Sequence, residues 1–352
     1  MPTRAELLQS VANRIADYRA GERLPSRTPD IVDQWVQQFH ADTQLPLLEG
    51  LDYVFERTYI SRESFKNFLR GLANTRKLDP NSQPQDYWRR VNILNIQRGG
   101  NSQRDLLGMF GEVLQETHGF TVADTGSDGG DFIYLDDCVG TGNRVRNDLC
   151  HWIENQTPNR IKLHIITPIL YAGSWWIDQK INETAAASGK TISITKWRLD
   201  QFAMENRRAY RNSSDVLWPT AIPDHPAVRA YAQELQAKGH PPELRAPGVP
   251  SRSRLFRDDA QRILLEQAFL TRGCQIRQEC TNLPDSARPL GYHNLDCFGF
   301  GNMFITFRNC PNNCPLALWV QQQDFPSLLP RRTNTQTANQ NFARTIFGAE
   351  EL

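Results

Sequence analysis

The sequence predicts an α/β protein: a doubly wound parallel sheet in the middle of the chain, an N-terminal helical unit before it and a C-terminal α+β extension after it. Three observations predict this. Between residues 86 and 200 short apolar runs alternate with stretches of helical period, the pattern of strands joined by crossover helices. Up to residue 85 only helical stripes occur, and beyond residue 200 the pattern is mixed. The expected segments are a helical unit 1–85, an α/β core 86–200, and an extension 201–352 that completes the core and covers its site.

The helical unit reads in four stripes. Leu7, Leu8, Val11 and Ile15 form the first, and Ile31, Trp35, Val36 and Phe39 the second, opened by Thr28-Pro29-Asp30 as cap and first turn. Leu47, Leu48, Leu51, Val54 and Phe55 form the third. Phe65, Phe68, Leu69 and Leu72 form the fourth, with Ser61, Glu63 and Ser64 at a capped entry. Apolar residues at this spacing read as core. The polar, proline-bearing run Asp79 to Gln85 reads as a linker.

In the core, Val91, Ile93, Leu94 and Ile96 read as a strand, followed by a loop from Gln97 to Gln103 and a helix carrying Leu106, Leu107, Phe110, Val113 and Leu114. Phe120-Thr121-Val122 reads as a further short strand. Asp124 to Gly130 is a glycine-rich loop, either a mobile cover or a plain connection. Phe132, Ile133, Tyr134 and Leu135 are too few and too apolar for a helical period, so they predict a strand buried on both faces. It runs into Asp136 and Asp137, expected to stand exposed at the strand end, and then into a tight loop through Arg144. Val145, Leu149, Trp152 and Ile153 recur at helical spacing after it. Ile161 to Leu170 is a strand, a helix runs from Ile177 through Ala187, and Ile192 to Trp197 is another strand.

The extension carries a helix from Pro226 to Lys238 and another over 258–272. Arg245, Arg252, Arg254 and Arg257 between them read as a solvated face rather than a nucleic-acid site. Met303, Ile305 and Phe307 alternate with Phe304 and Thr306 as a strand. It enters a loop offering Arg308, Asn309, Asn312 and Asn313, either a plain Asn/Pro turn or a set of ligand contacts.

Composition narrows the class. The chain has 352 residues, 40 basic against 39 acidic, and a net charge of +1, which excludes a global electrostatic footprint for nucleic acid or membrane. No apolar stretch approaches the length of a membrane span and no signal-peptide pattern opens the chain, so the expected address is the cytoplasm. Seven cysteines read as reduced thiols. Cys274 and Cys280, with Cys310 and Cys314, are either a metal site at unusual spacing or buried and turn cysteines.

The chemistry concentrates at the two strand-to-helix junctions. After the buried strand, a glycine loop and a helix N-terminus offer free N–H groups and a favourable dipole to a phosphate. The preceding carboxylates accept hydrogen bonds, which suits a ribose diol directly or through a hydrated divalent cation. The same stretch is also what an ordinary β-to-α turn looks like, with the acids capping the helix. Gln97 to Gln103 repeats the arrangement, with Arg98 adding charge.

Strand, paired acids and Gly140-Thr141-Gly142 loop resemble the phosphoribosyl-pyrophosphate signature of type I phosphoribosyltransferases. Two departures stand out: Gly140 replaces a usual Thr or Ala, and Arg144 replaces a final hydroxyl. Arginine holds phosphate strongly but from another direction. Together with the NIQRGGNSQ loop and the closing GFGN and FRNCPNNCPLALW segments, the chain resembles the phosphoribosyltransferase-like PRTase-CE family of prokaryotic conflict systems. The resemblance implies a type I phosphoribosyltransferase fold and an antiviral effector, in some systems beside a retron's reverse transcriptase and its noncoding RNA and DNA. It implies Asp136 and Asp137 on the ribose hydroxyls and a magnesium ion. It implies Gly140, Thr141, Gly142, Asn143 and Arg144 on the 5′-phosphate, and Arg98, Gly99, Gly100, Asn101 and Ser102 on the pyrophosphate. Arg308, Asn309 and Asn313 of the family's tail motif are expected as further ligand contacts. The implied reaction is transfer or cleavage at ribose C1; a site kept for binding alone, in a nucleotide sensor or toxin scaffold, is the alternative.

Overall fold

The structure, a computed structural model, describes residues 2–99, 102–199, 203–204, 216–246, 255–280, 282–293, 297–322 and 324–331. The element order begins α1 (Arg4–Arg14), α2 (Pro29–Val36), α3 (Ala41–Thr58), β1 (Tyr59–Ile60), α4 (Arg62–Asn74), α5 (Pro84–Arg90), β2 (Asn92–Ile93), α6 (Ser102–His118) and β3 (Asp131–Leu135). It continues β4 (Cys138–Val139), α7 (Asn143–Asn155), β5 (Arg160–Ile166), β6 (Ile169–Tyr171), α8 (Trp176–Ala187), β7 (Thr191–Trp197), β8 (Ala203–Met204), α9 (Pro226–Ala237), α10 (Asp259–Glu279), β9 (Ile305–Thr306) and α11 (Leu316–Trp319).

The chain divides into two compact units, one of residues 1–62 with 204–331 and one centred on residues 63–203. This differs from the three consecutive segments drawn from the sequence, and packing gives the reason. In the first unit the N-terminal helices find their partners late in the chain. Gly50 of α3 lies so close to Leu265 of α10 that a β-carbon there would sit 3.1 Å from it, and the Trp35 indole donates to the Ala317 carbonyl at 2.7 Å. β1 pairs parallel with β9, Tyr59 against Ile305 and Ile60 against Thr306. The fourth stripe, α4, instead belongs to the second unit, where Trp88 and His118 both reach the Ala73 carbonyl at 3.0 Å. Trp88 lies on α5, a helix whose start the sequence assigns to linker.

Arg245, expected on a solvated face, is buried in the first unit. Its guanidinium donates to the Trp218 and Val216 carbonyls and lies 3.5 Å from Glu266, itself held by Arg262. A buried arginine is tolerated because its donors are satisfied in this way. Arg252 and Arg254 lie outside the described residues.

The second unit is built on a four-stranded sheet of order β2-β3-β5-β7, with every neighbouring pair parallel. The helices α7 and α8 supply Val145, Leu149, Trp152, Ile177, Ile181 and Ala185 to one face, against Phe132, Tyr134, Ile161, Leu163 and Ile165. Ile133 and Leu135 point the other way and are equally buried, so both faces are covered, as a parallel sheet requires.

Three sequence expectations change here. Phe120-Thr121-Val122 adds no strand: Thr121 caps a single 3₁₀ turn at Val122–Asp124. Ile161 to Leu170 is two strands, because Pro168 has no N–H for the ladder; β6 leaves the main sheet and pairs with β4 instead. The loop 124–130 is tied to the beginning of β2. Asn92 Nδ2 donates to Gly129 O at 2.8 Å, and Ser127 Oγ to Arg90 O at 2.7 Å. It therefore lies at the amino ends of β2 and β3 and does not cover their carboxyl ends.

Candidate phosphate and ribose site

Both predicted glycine loops follow the carboxyl ends of adjacent parallel strands, where ligands of open α/β sheets bind. At the end of β3 the ladder continues one residue, since the Asp136 N–H donates to Ile166 O at 3.1 Å. That bond turns the Asp136 side chain inward. It is only 4% exposed, contrary to the exposed strand-end acid expected. Burial above all, then the charge of Asp137, pushes its carboxyl up to about 8. The Asp137 N–H, donating to Asp136 Oδ1 at 2.9 Å, and the Arg144 charge work in the opposite direction. Asp137 itself is half-buried. Cys138 follows, its thiol raised by burial and by both acids.

β4 then fixes the start of the loop, with Cys138 opposite Ile169 and Val139 opposite Leu170. The loop closes at Gly142, which takes φ +84 at the N-cap of α7. A β-carbon there would overlap Ile177 Cδ1, so both the conformation and the space demand glycine. No side chain caps α7. The first bond of the helix runs from the Arg146 N–H to Gly142 O at 3.0 Å, which leaves the N–H groups of Asn143, Arg144 and Val145 facing the loop.

The charge pattern of this helix is inverted. Its first turn contains no acid, the residues favoured there, and carries Arg144 instead, with Arg146 in the next position but one. Arg144 is exposed, and its charge reaches Asp136, Tyr134 and Asp148, drawing the acidity of all three downward in pKa. Arg146 lies over the Trp176 ring at 5.5 Å. Two cations at the positive end of a helix dipole fit an anionic guest. The structure thus brings Asp136, Asp137, Gly140, Thr141, Gly142, Asn143 and Arg144 onto one junction.

The second loop is held more tightly than composition suggests. Gln103, fully buried, accepts the Ile96 and Gln97 N–H groups on Oε1 at 2.7 and 2.9 Å. Gln97 in return accepts the Gln103 N–H at 3.0 Å and meets the Ser102 hydroxyl at 2.7 Å. The Arg98 N–H donates to Asp148 Oδ1 at 3.2 Å. Ser102, expected on the pyrophosphate, therefore spends its hydroxyl on Gln97, and the Arg98 amide is also engaged. The Arg98 side chain is exposed and Gly99 half-buried; Gly100 and Asn101 lie outside the described residues.

Arg308, Asn309 and Asn313 belong to the first unit. Asn313 is buried there and accepts from Asn302 Nδ2 at 3.0 Å, while the Asn302 N–H donates to the Asn313 carbonyl at 3.0 Å. The Asn309 N–H donates to Thr306 O at 3.2 Å. Arg308 and Asn309 are half-buried and Asn312 is exposed, so of these four residues Asn313 is the one built into the core of this unit. Cys274, Cys310 and Cys314 are buried and Cys280 is half-buried; among the described residues no group of three or more His, Cys, Asp or Glu gathers to hold a metal.

Sequence reasoning overlooked Asp148, Gln103, Gln97 and Tyr134. The signal was present. Asp148 lies on the same helical face as Val145, Leu149 and Trp152, and Gln103 on the face of Leu106, Leu107 and Phe110. A polar residue within an apolar stripe is buried, and a buried polar group needs partners.

In comparison with known proteins, the family model described as PRTase-CE matches residues 32–331. No curated protein and no solved structure matches the chain.

Proposed function

The chain belongs to the PRTase-CE family, which is phosphoribosyltransferase-like, and from that premise we propose that the carboxyl ends of β2 and β3 bind a phosphorylated ribose bearing a pyrophosphate or nucleotide group and act at its C1. The observation that carries this reading is the junction at Gly142, where a helix start with no side-chain cap and with Arg144 in its first turn follows paired acids after β4 and a short glycine loop. A phosphate resolves what is electrostatically awkward in that arrangement.

In this reading the N–H groups of residues 143–145 and the Arg144 guanidinium hold the 5′-phosphate. Asp137, and Asp136 once ionised, accept hydrogen bonds from the ribose hydroxyls. Loss of the group on C1 spreads positive charge over the ring, and such a reaction depends on fixed contacts to both ends of the ligand more than on a strong base. Magnesium fits as a companion of the ligand rather than a resident of the protein. Among the described residues there is no multi-ligand cage, so Asp136 and Asp137 would share the ion with pyrophosphate oxygens and water. When bound, such an ion would supply charge neutralisation for a departing pyrophosphate. The raised carboxyl of Asp136 supports this, since a nearby cation is what would keep Asp136 ionised near neutral pH.

The family resemblance supports a role as an effector of antiviral defence, with a reverse transcriptase and its noncoding RNA as candidate partners. One observation favours a second reading, a nucleotide sensor that binds without turnover. Arg144 stands where a hydroxyl is usual in the signature, and arginine grips a phosphate from a different direction. The deciding experiment incubates the isolated chain with magnesium and phosphoribosyl pyrophosphate, with and without nucleobases or cellular nucleotides, and follows products by mass spectrometry. Release of pyrophosphate or of a base, lost in Asp137→Ala, supports the enzyme; tight binding with no product under any condition establishes the sensor.

A further inference from the structure

Asp148 is 4% exposed, one helical turn beyond Arg144 on α7. Its Oδ1 accepts the backbone N–H of Arg98 at 3.2 Å, and its Oδ2 accepts the Tyr134 hydroxyl at 3.3 Å. The two bonds go to different elements. Arg98 lies in the loop after β2, Tyr134 is the penultimate residue of β3, and Asp148 itself rides on the helix whose first turn closes the Gly142 loop.

A carboxyl is an expensive fastener for this place. Burial raises its pKa, and the neighbouring positions of the stripe are apolar. A bound water would equally satisfy a backbone N–H such as that of Arg98. What water cannot do is fix where that amide stands relative to α7.

We infer that Asp148 is a positioning residue that sets the spacing between the Arg98 loop and the Gly142 loop, so that the site grips a pentose carrying anionic groups at both ends. This inference rests on the proposed ligand class. A ligand with a single phosphate needs only the Gly142 loop and is indifferent to the spacing; one that bridges both loops depends on it.

The test uses the full chain with magnesium and two probes, ribose 5-phosphate and phosphoribosyl pyrophosphate, measured by calorimetry. Amide exchange at Arg98 is followed in parallel by NMR. In Asp148→Ala, ribose 5-phosphate affinity stays within about twofold of wild type while phosphoribosyl pyrophosphate weakens about tenfold, the effect of one lost hydrogen-bonded constraint. Asp148→Asn restores most of the loss, since its amide oxygen still accepts the Arg98 N–H. Arg98 exchange quickens in the alanine variant and not in the asparagine variant. Equal weakening of both probes, or no weakening of the pyrophosphate probe in a folded alanine variant, overturns the inference. Should the alanine variant not fold, Tyr134→Phe replaces it; this removes only the Oδ2 bond and is expected to show the same selectivity at about threefold, with equal effects on both probes again overturning it. If wild type binds neither probe, the proposed ligand class fails on its own, and Arg98 exchange still decides whether Asp148 holds the loop.

Discussion

Gly142 and Ile177 occupy the same small space: a β-carbon on the glycine would overlap the isoleucine Cδ1. The Gly142 loop is thereby locked to α8, although Gly142 and Ile177 belong to different strand-to-helix connections. Gly142→Ala meets two penalties, a left-handed backbone at φ +84 and a side chain with no room. The expected loss is about 2–4 kcal/mol by urea denaturation. Adding Ile177→Ala relieves the overlap but leaves the backbone term and adds the cost of a new cavity. A single variant within about 0.5 kcal/mol of wild type would show that the loop reshapes freely.

Asp136 makes stability depend on pH in a direction opposite to most surface acids. In the unfolded chain its carboxyl ionises near about 4; in the fold, burial holds the proton until about 8. Across that window the folded state keeps a proton that the unfolded state has released, so the contribution is full below about pH 4 and is lost as pH rises toward about 8. Asp136→Asn removes this dependence. Its melting temperature relative to wild type should rise by several degrees between pH 5 and pH 8.5, while affinity for phosphoribosyl pyrophosphate falls at least about tenfold. A constant difference between the two melting curves across that range contradicts the account.

Arg144 is expected to hold the anion without being needed for the fold, because its side chain is exposed. Sulfate or phosphate should raise the wild-type melting temperature, and Arg144→Ala should lose most of that rise and about tenfold in phosphate affinity, more at low ionic strength. An identical sulfate response in the two proteins would place the anion elsewhere.

Asn313 is expected to act through the core of the first unit. Asn313→Ala takes one acceptor from the buried Asn302 Nδ2 and leaves it Phe304 O at 3.1 Å and the weaker Cys314 Sγ, with an expected cost of about 1 kcal/mol in thermal unfolding. Unchanged stability together with lost ligand affinity would return Asn313 to the ligand contacts inferred from its motif.

The sequence made the sheet strands around β3 and the Gly142 junction legible because each rests on local rules. A run of four apolar residues, two acids and a glycine loop have little freedom to mean anything else at the start of a helix. What it concealed was non-local. That Asp136 is buried follows from its amide pairing with Ile166, thirty residues on. Ser102 looks like a phosphate ligand until Gln97 claims its hydroxyl. Pro168 was visible, yet its effect, moving β6 onto β4, depends on a partner strand that no local pattern identifies. The grouping of residues 1–62 with 204–331 is likewise set by partners such as Trp35 and Ala317, far apart along the chain.

The arginine in the first turn of α7 has a consequence for the lifetime of the protein. Arg144 works against the dipole of its own helix and gains nothing from it until an anion settles on the loop. An anion that binds only the folded chain adds stability in proportion to the logarithm of its concentration. If the proposed phosphorylated ribose is that anion, the amount of intact protein in a cell would follow the supply of the ligand, the unliganded chain being the more readily proteolysed.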